Sequence, residues 1–218
     1  MSAKSKSVII ILLILFLDQT LKIWIKTNMM LGDEFIIVKN WFIIHFVENN
    51  GMAFGLEFGS HIGKYILSVF RILAVGAIGW YISKLWKREV PFGVIACLSL
   101  ILAGAIGNIL DSAYFGLIFN ESYGQVATLF PHGGGYSSFL QGRVVDMFYF
   151  PLFSGRYPSW LPYFGGNEFI FFRPVFNLAD SSITVGIISI LIFYRRFFDE
   201  KLSHAGSETN AAVGAEMK

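Results

Sequence analysis

The residues that invite a chemical reading are carboxylates set in apolar sequence. Asp18 and Lys22 lie in one apolar run, four residues apart. That spacing puts them on one helix face, with the acid on the N-terminal side, a favourable ion-pair order. Asn108 and Asp111 close a second run, and Asn177 and Asp180 open a third, each pair three apart and sharing a face. Asp146 sits in Gly142-Arg143-Val144-Val145-Asp146-Met147-Phe148, flanked by apolar residues. Two carboxylates brought together in a low-dielectric pocket cannot both ionise easily. They share a proton, and their apparent pKa values split. The ionised member can take a proton from water while the protonated member polarises a carbonyl, the aspartic-protease arrangement. Asp146 meeting Asp180 would supply it with no metal, no cofactor and no nucleophilic side chain.

Each residue also has a blander reading. Asp18–Lys22 could be a structural pair, or a lysine reaching for the interface. Asp111 reads as a hydrogen-bonded interfacial acid in the last turn of its helix, where it opposes the helix dipole and needs compensation. A loop acid such as Asp146 is usually just solvated. Asp180 is the hardest to explain structurally, because an ionisable group inside a span costs about 2.5–3.5 kcal/mol on insertion scales. Arg71 falls mid-run and needs an anionic partner, for which Asp18 and Asp111 are both candidates.

Other chemistries fit poorly. The four histidines are scattered and no H-E-x-x-H occurs. Gly133-Gly134-Gly135 lacks the G-K-[ST] of a phosphate-binding loop and reads as flexible loop. The single Cys97 excludes an internal disulfide and reads as packing. With a net charge of +2 no basic surface points to nucleic acid.

The elements that must position these groups are membrane spans. Hydrophobic residues make up 55% of the chain and charged residues only 15%, and the mean hydropathy is +0.59. That exceeds what one soluble core can hide. A spanning helix needs about 20 mostly apolar residues. Four segments qualify: Ser7–Ile25, Ile62–Ser83, Pro91–Ser112 and Pro174–Tyr194. The first follows Lys4 and Lys6 like a signal peptide, but it has no small-residue cleavage site and reads as a retained span. The basic residues Lys4, Lys6, Lys84, Lys87, Arg88, Arg195, Arg196 and Lys201 all fall on one side, so both termini are expected in the cytoplasm.

Two long segments then lie outside. In the first, Phe35–Val47 reads as a β-hairpin turning at Lys39-Asn40 and lying on the membrane. The second, 113–173, is rich in aromatics. Residues 1–200 are expected to form one membrane-embedded domain, and 201–218 a disordered tail. The fold class is therefore an all-α membrane protein, a four-helix bundle with a small β region on the outer face. A proton-coupled transporter would spread its acids over the full depth and use discontinuous helices. A non-catalytic scaffold would leave Asp18, Asp111 and Asp180 without a reason. A peptidase accounts for the acids clustering in the outer half.

Taken together, the motifs resemble the lipoprotein signal peptidase family, signal peptidase II of bacteria. They are Asp18-Gln19-Thr20-Leu21-Lys22, Asn49-Asn50-Gly51-Met52-Ala53-Phe54-Gly55, Gly107-Asn108-Ile109-Leu110-Asp111, Val144-Val145-Asp146 and Phe176-Asn177-Leu178-Ala179-Asp180-Ser181-Ser182-Ile183. Each alone is weak, but the five occur in the family's order across about Val8 to Tyr194. The resemblance implies an aspartyl endopeptidase of the bacterial cytoplasmic (inner) membrane. It would cut signal peptides from prolipoproteins just before a cysteine already carrying diacylglycerol, and globomycin-type cyclic peptides would inhibit it. The implied catalytic pair is Asp146 and Asp180. Asp18, Lys22, Asn49, Gly51, Gly107, Asn108, Asp111 and Asn177 would be site or scaffold residues. Two departures stand out. Ser112 occupies a position where the family usually has arginine, for which Arg143 and Arg71 are possible substitutes. The segments Ala113–Gln141 and Pro151–Phe172 are longer than a compact member needs; a lid or an interaction surface is one reading of them, and aromatic-rich membrane padding is the blander and favoured one.

Overall fold

In this computed structural model the described residues are 1–39, 41–50, 61–151, 153–171 and 174–197. Gly51 and the tail beyond residue 200 lie outside them, as does the turn residue Asn40. Four helices are long and apolar enough to cross a membrane: Ala3–Asn28, Gly63–Leu85, Phe92–Ile118 and Leu178–Phe197.

Helix α1 (Ala3–Asn28) starts at Ser2, whose hydroxyl accepts the Ser5 amide at 3.1 Å. It is inside out by soluble-protein standards. Its buried residues are Ser7, Asp18, Lys22, Ile25 and Lys26, while Leu12, Leu13 and Phe16 face outward. In an apolar solvent, burying the polar stripe is the favourable arrangement.

Helix α2 (His61–Leu85) packs its C-terminal end on α3 (Phe92–Leu110) through Ile82, Leu85, Val94, Ile95, Leu98 and Leu102. Helix α3 does not stop at Asp111 as expected. A π-helical turn, Asp111–Phe115, carries the chain into a last short helix, α4 (Gly116–Ile118). Asp111 is therefore fully buried in mid-span rather than terminal at an interface. Its partners inside the bundle remove the objection to an acid at a helix C-terminus.

Strands β1 (Glu34–Val38) and β2 (Phe42–Asn49) form the expected antiparallel hairpin. It belongs to a larger sheet than the sequence suggested. Strand β2 also pairs with β3 (Val144–Tyr149), and β3 pairs with β6 (Val175–Phe176), giving the order β1-β2-β3-β6. A separate hairpin, β4 (Phe153–Arg156) with β5 (Glu168–Phe171), carries the exposed Trp160, Tyr163 and Phe164 in its connection. Helix α5 (Leu178–Ser189) follows β6 directly and ends in a π-helical turn, Ile190–Tyr194.

The segment after α3, expected to be membrane padding, instead supplies core. Phe119 and Ala127 are buried in one cluster with Ile25, Met29, Phe46, Phe115, Val145 and Met147. Its backbone is stitched back onto the helix by Tyr136 N–H to Phe119 O, Ser137 N–H to Gly116 O and Gly142 N–H to Ser112 O. Lys26 joins Glu48 and Ser122, and Arg143 joins Glu48 at 2.8 Å and Glu121 at 2.7 and 2.9 Å. This ionic strap ties α1, β2 and the loop together. Burial alone would push the Glu48 carboxyl up, but the charges and hydrogen bonds of Lys26 and Arg143 together outweigh it and hold the carboxyl below its usual range.

Candidate active site

Three segments deliver the site. Alternation along β3 sends Val145 and Met147 into the apolar cluster and leaves Asp146 for the opposite face, toward α5. The β6–α5 junction delivers Asn177 and Asp180. Asn177 is the N-cap of α5, accepting the Asp180 amide at 2.8 Å, and the Asp180 carboxylate answers the Asn177 amide to complete a capping box. Asp180 thus sits in the first turn of α5, where the helix dipole favours a negative charge. Helix α3 brings Asn108 and Asp111 to the same region.

A buried ionic cluster supports these groups. The Lys22 ammonium lies 2.9 Å from Asp18 and 2.8 Å from Asp111, and donates to the Asn108 side-chain oxygen at 3.1 Å. Asp18 also accepts the Ala179 amide of α5 at 2.9 Å. The interfacial reading of Lys22 therefore gives way to the buried-pair reading. Gln19, which sequence reasoning passed over, donates to Asp18, to the Gly107 carbonyl and to Asp111. Its place beside Asp18 inside an apolar run was the available signal. Gly107 is required by close approach, since a Cβ there would lie 2.8 Å from Asp18 Oδ2.

The cluster fixes which way two amides face. Lysine can only donate, so Asn108 must turn its oxygen to Lys22 and its NH2 outward. That NH2 donates to Asp180 Oδ1 at 2.8 Å. A backbone amide also only donates, so Asn177 turns its oxygen to Asp180 N–H and its NH2 to Asp146 Oδ1 at 2.8 Å. Asn177 further donates to the Asn108 oxygen at 3.2 Å. Each carboxylate is thus held by one asparagine, and the two asparagines hold each other. Asn49, the last residue of β2, adds a side-chain hydrogen bond to Asp146.

Asp146 is almost fully buried. Its carboxyl is pushed up to about 7, first by burial and next by the charge of Asp180, against the hydrogen bonds from Asn49 and Asn177. Among the described residues no cation pairs with either Asp146 or Asp180. Among the described residues, too, no cluster of His, Cys, Asp and Glu is placed to hold a metal ion. Two neighbouring carboxyls without an ion-paired cation among the described residues, one of them holding its proton up to about 7, are suited to general acid–base work on one water.

The comparisons with known proteins agree with this chemistry. The family described as Signal peptidase (SPase) II matches residues 10–196. The chain belongs to the signal peptidase II family. A lipoprotein signal peptidase of Porphyromonas gingivalis is 56% identical over 188 residues, covering 86% of this chain and 81% of its own. One from Amoebophilus asiaticus is 38% identical over 186 residues, covering 84% of this chain and 75% of its own. A bacterial membrane enzyme solved at 2.3 Å shares the fold at a TM-score of 0.56 and 24% identity, over 90% of this chain and 92% of its own.

As a signal peptidase II member the chain is a protease, and its departures can be placed. Ser112 is buried, donates to the Asn108 carbonyl at 3.1 Å and accepts the Gly142 amide at 2.8 Å. The Gly142 backbone lies against this turn, and a Cβ on Gly142 would come within 2.2 Å of the Asp111 carbonyl oxygen and 3.0 Å of that of Ser112. Arg143 is not a substitute within the site, because Glu48 and Glu121 hold it and it stacks on Tyr136 at 4.7 Å. Those bonds raise its guanidinium further above its ordinary range. Arg71 is half-buried and no carboxylate among the described residues pairs with it. Of the two acids expected for it, Asp111 is among those that act on it. Lys22 holds Asp18, and the acids acting on Arg71 are Asp180, Asp111 and Asp146, in that order.

Proposed function

We propose that Asp146 and Asp180 are the catalytic dyad with which this peptidase removes signal peptides from diacylglyceryl prolipoproteins, cutting before the lipidated cysteine. One observation carries the reading: two carboxyls from separate elements are each oriented by an asparagine and, among the described residues, left without an ion-paired cation. One member takes a proton from water as it attacks the scissile carbonyl. The other donates to the carbonyl oxygen, and the roles reverse for the leaving amine. Asn108 and Asn177 hold the acids while the Lys22 cluster holds Asn108. Asp18 and Asp111 serve as scaffold beneath them, and Gly107 keeps space for Asp18. Asn49, the last residue of β2, and Gly51, outside the described residues, belong to substrate binding and site support.

The chain is a bacterial membrane protein, and we place both termini in the cytoplasm with the four-stranded sheet on the outer face. This orientation is supported by basic residues gathered at one end of the bundle. Lys4 lies over Trp86 at 5.7 Å and Lys6 over Phe92 at 5.2 Å, so the N-terminus and the α2–α3 connection share that end. The substrate's acyl chains then lie against apolar helix faces, and a globomycin-type cyclic peptide competes for the same site.

The deciding experiment is a gel-shift cleavage assay on a diacylated prolipoprotein with purified protein in detergent. Activity abolished by both globomycin and Asp146→Asn is the expected result. Turnover retained in Asp146→Asn or Asp180→Asn overturns the dyad.

A further inference from the structure

Charge is buried beneath the strand that carries Asp146. The Lys26 and Glu48 side chains are 0% and 2% exposed, in the same space as the apolar cluster. Alternation along β2 and β3 sorts their neighbours by face. Phe46, Val145 and Met147 belong to the cluster. Glu48 and Arg143, each two residues from one of these, project to that side, where Lys26 lies over the Phe46 and Tyr136 rings at 5.9 and 5.1 Å. The opposite face carries Val47, Asn49 and Asp146. Val47 pairs directly with Asp146, so Asn49 is the diagonal neighbour of Asp146 across the strands. The ladder alone fixes this arrangement weakly. A bulge interrupts the pairing between Ile44 and Val47, and beyond it three pairs remain: Val47 with Asp146, Glu48 with Val145 and Asn49 with Val144. A slip of one residue would turn Asp146 to the other face.

We propose that Glu48 is a positioning residue of the peptidase: clamped between Lys26 and Arg143, it holds β2 and β3 in the register that sets Asn49 beside Asp146. Its two oxygens are bound from different directions. Oε1 takes Lys26 of α1 and the Ser122 hydroxyl, the latter at 3.0 Å. Oε2 takes Arg143, the residue before β3, at 2.8 Å. Arg143 is itself fixed, by Glu121 at 2.7 and 2.9 Å and through its backbone amide, which donates to the Tyr136 hydroxyl at 2.7 Å. The helix end is pinned to the same loop, since Lys26 O accepts the Ala127 amide at 3.1 Å and the Leu31 amide donates to Ser122 O at 3.0 Å. Glu48 thus ties the last residues of β2 to α1 and to the start of β3 at once. An apolar residue at 48 would fill the cluster face without desolvating a charge. What it would not supply is a directional bond, and fixing register is the best-attested use of a buried ion pair.

The inference rests on the dyad reading, and the experiment keeps their failures apart. Values of kcat and KM would be measured on a diacylated prolipoprotein for wild type, E48Q, K26M/E48Q and R143M, each well below its melting temperature in detergent. E48Q leaves Lys26 buried without its anion, so it also melts lower. K26M/E48Q removes the stranded cation and recovers melting. R143M keeps the Lys26–Glu48 pair and is informative even where E48Q does not fold. In all three variants kcat falls about 10–100-fold through misplacement of Asp146, with KM little changed. Backbone amides of the β2–β3 ladder exchange faster with deuterium. Melting recovered in K26M/E48Q while kcat stays low is the deciding result, because a role in stability alone would return both. Wild-type kcat in K26M/E48Q or R143M, or a loss carried by KM alone, overturns the proposal and leaves the dyad standing. Turnover retained in Asp146→Asn would instead overturn the dyad.

Discussion

Asp18 and Asp111 on one side, and Asp146 and Asp180 on the other, are acids removed wholly or partly from water in the same bundle. The first pair surrounds Lys22 at 2.9 and 2.8 Å and accepts further bonds from Gln19 and the Ala179 amide. The second pair receives amide donors and no ion-paired cation among the described residues. Burial is common to both, so burial alone does not make a carboxyl reactive. Lys22 makes the first pair a scaffold. Its absence from the second leaves a proton that can move near neutral pH. The two regions are joined by Asn108, which takes a bond from Lys22 and gives one to Asp180.

The sharpest way to break the comparison is to neutralise one member of each pair. Asp146→Asn or Asp180→Asn removes a proton-transfer group and lowers cleavage on the order of 10²–10⁴-fold. The protein should remain inserted with its thermal stability kept or improved, read by a melting curve in detergent. Equal activity loss with collapse of the fold would make the second pair a scaffold as well.

Lys22→Met tests the other half. It leaves Asp18 and Asp111 buried without a cation, a loss of about 3–5 kcal/mol when one partner of a buried pair is removed. Melting should fall sharply, and adding Asp111→Asn should recover part of it by removing one stranded charge. A Lys22→Met protein that melts like wild type but does not cleave would move Lys22 from scaffold to chemistry.

A smaller effect comes from Gly107→Ala. The added carbon would lie 2.8 Å from Asp18 Oδ2 and 3.4 Å from the Ala179 side chain. Overpacking of this kind costs about 1–3 kcal/mol. The strain falls on the α1–α3–α5 junction, so stability drops and kcat declines modestly as Asn108 shifts. A variant with wild-type melting and activity would show that the Asp18 position is not critical.

These tests separate what was legible in the sequence from what was not. The spans follow from apolar runs, and Asp18–Lys22 from their spacing of four, because both signals are local. Asp180 stood out because an acid inside a span is costly, whereas Asp146, a loop acid that alone would mean little, was raised by its apolar flanks and by the resemblance. The hidden parts are long-range. Lys26, at the end of α1, pairs with Glu48, and Arg143 pairs with Glu48 and Glu121. Nothing near those residues in sequence announces a strap. The π-helical turn after Asp111 was equally unreadable. The turn's backbone lies so close to Gly142 that a Cβ there would strike the Asp111 carbonyl oxygen at 2.2 Å, and local propensity carries no trace of such a contact. The facing of Asn108 and Asn177 depends on which partner can only donate, and that is known once the partners are in place.

The finest test of the comparison reads stability against pH in the Asp146→Asn protein. The wild-type Asp146 carboxyl is raised from an ordinary value near 4 to about 7 in the folded state. The folded protein therefore binds this proton more tightly than the unfolded chain does. Its contribution is fully present below the unfolded value and is lost as pH rises toward about 7. Asp146→Asn removes that contribution, so the decline of wild-type stability between about pH 4 and pH 7 should flatten in the variant. An identical slope in wild type and Asp146→Asn would mean that Asp146 is ionised through this range.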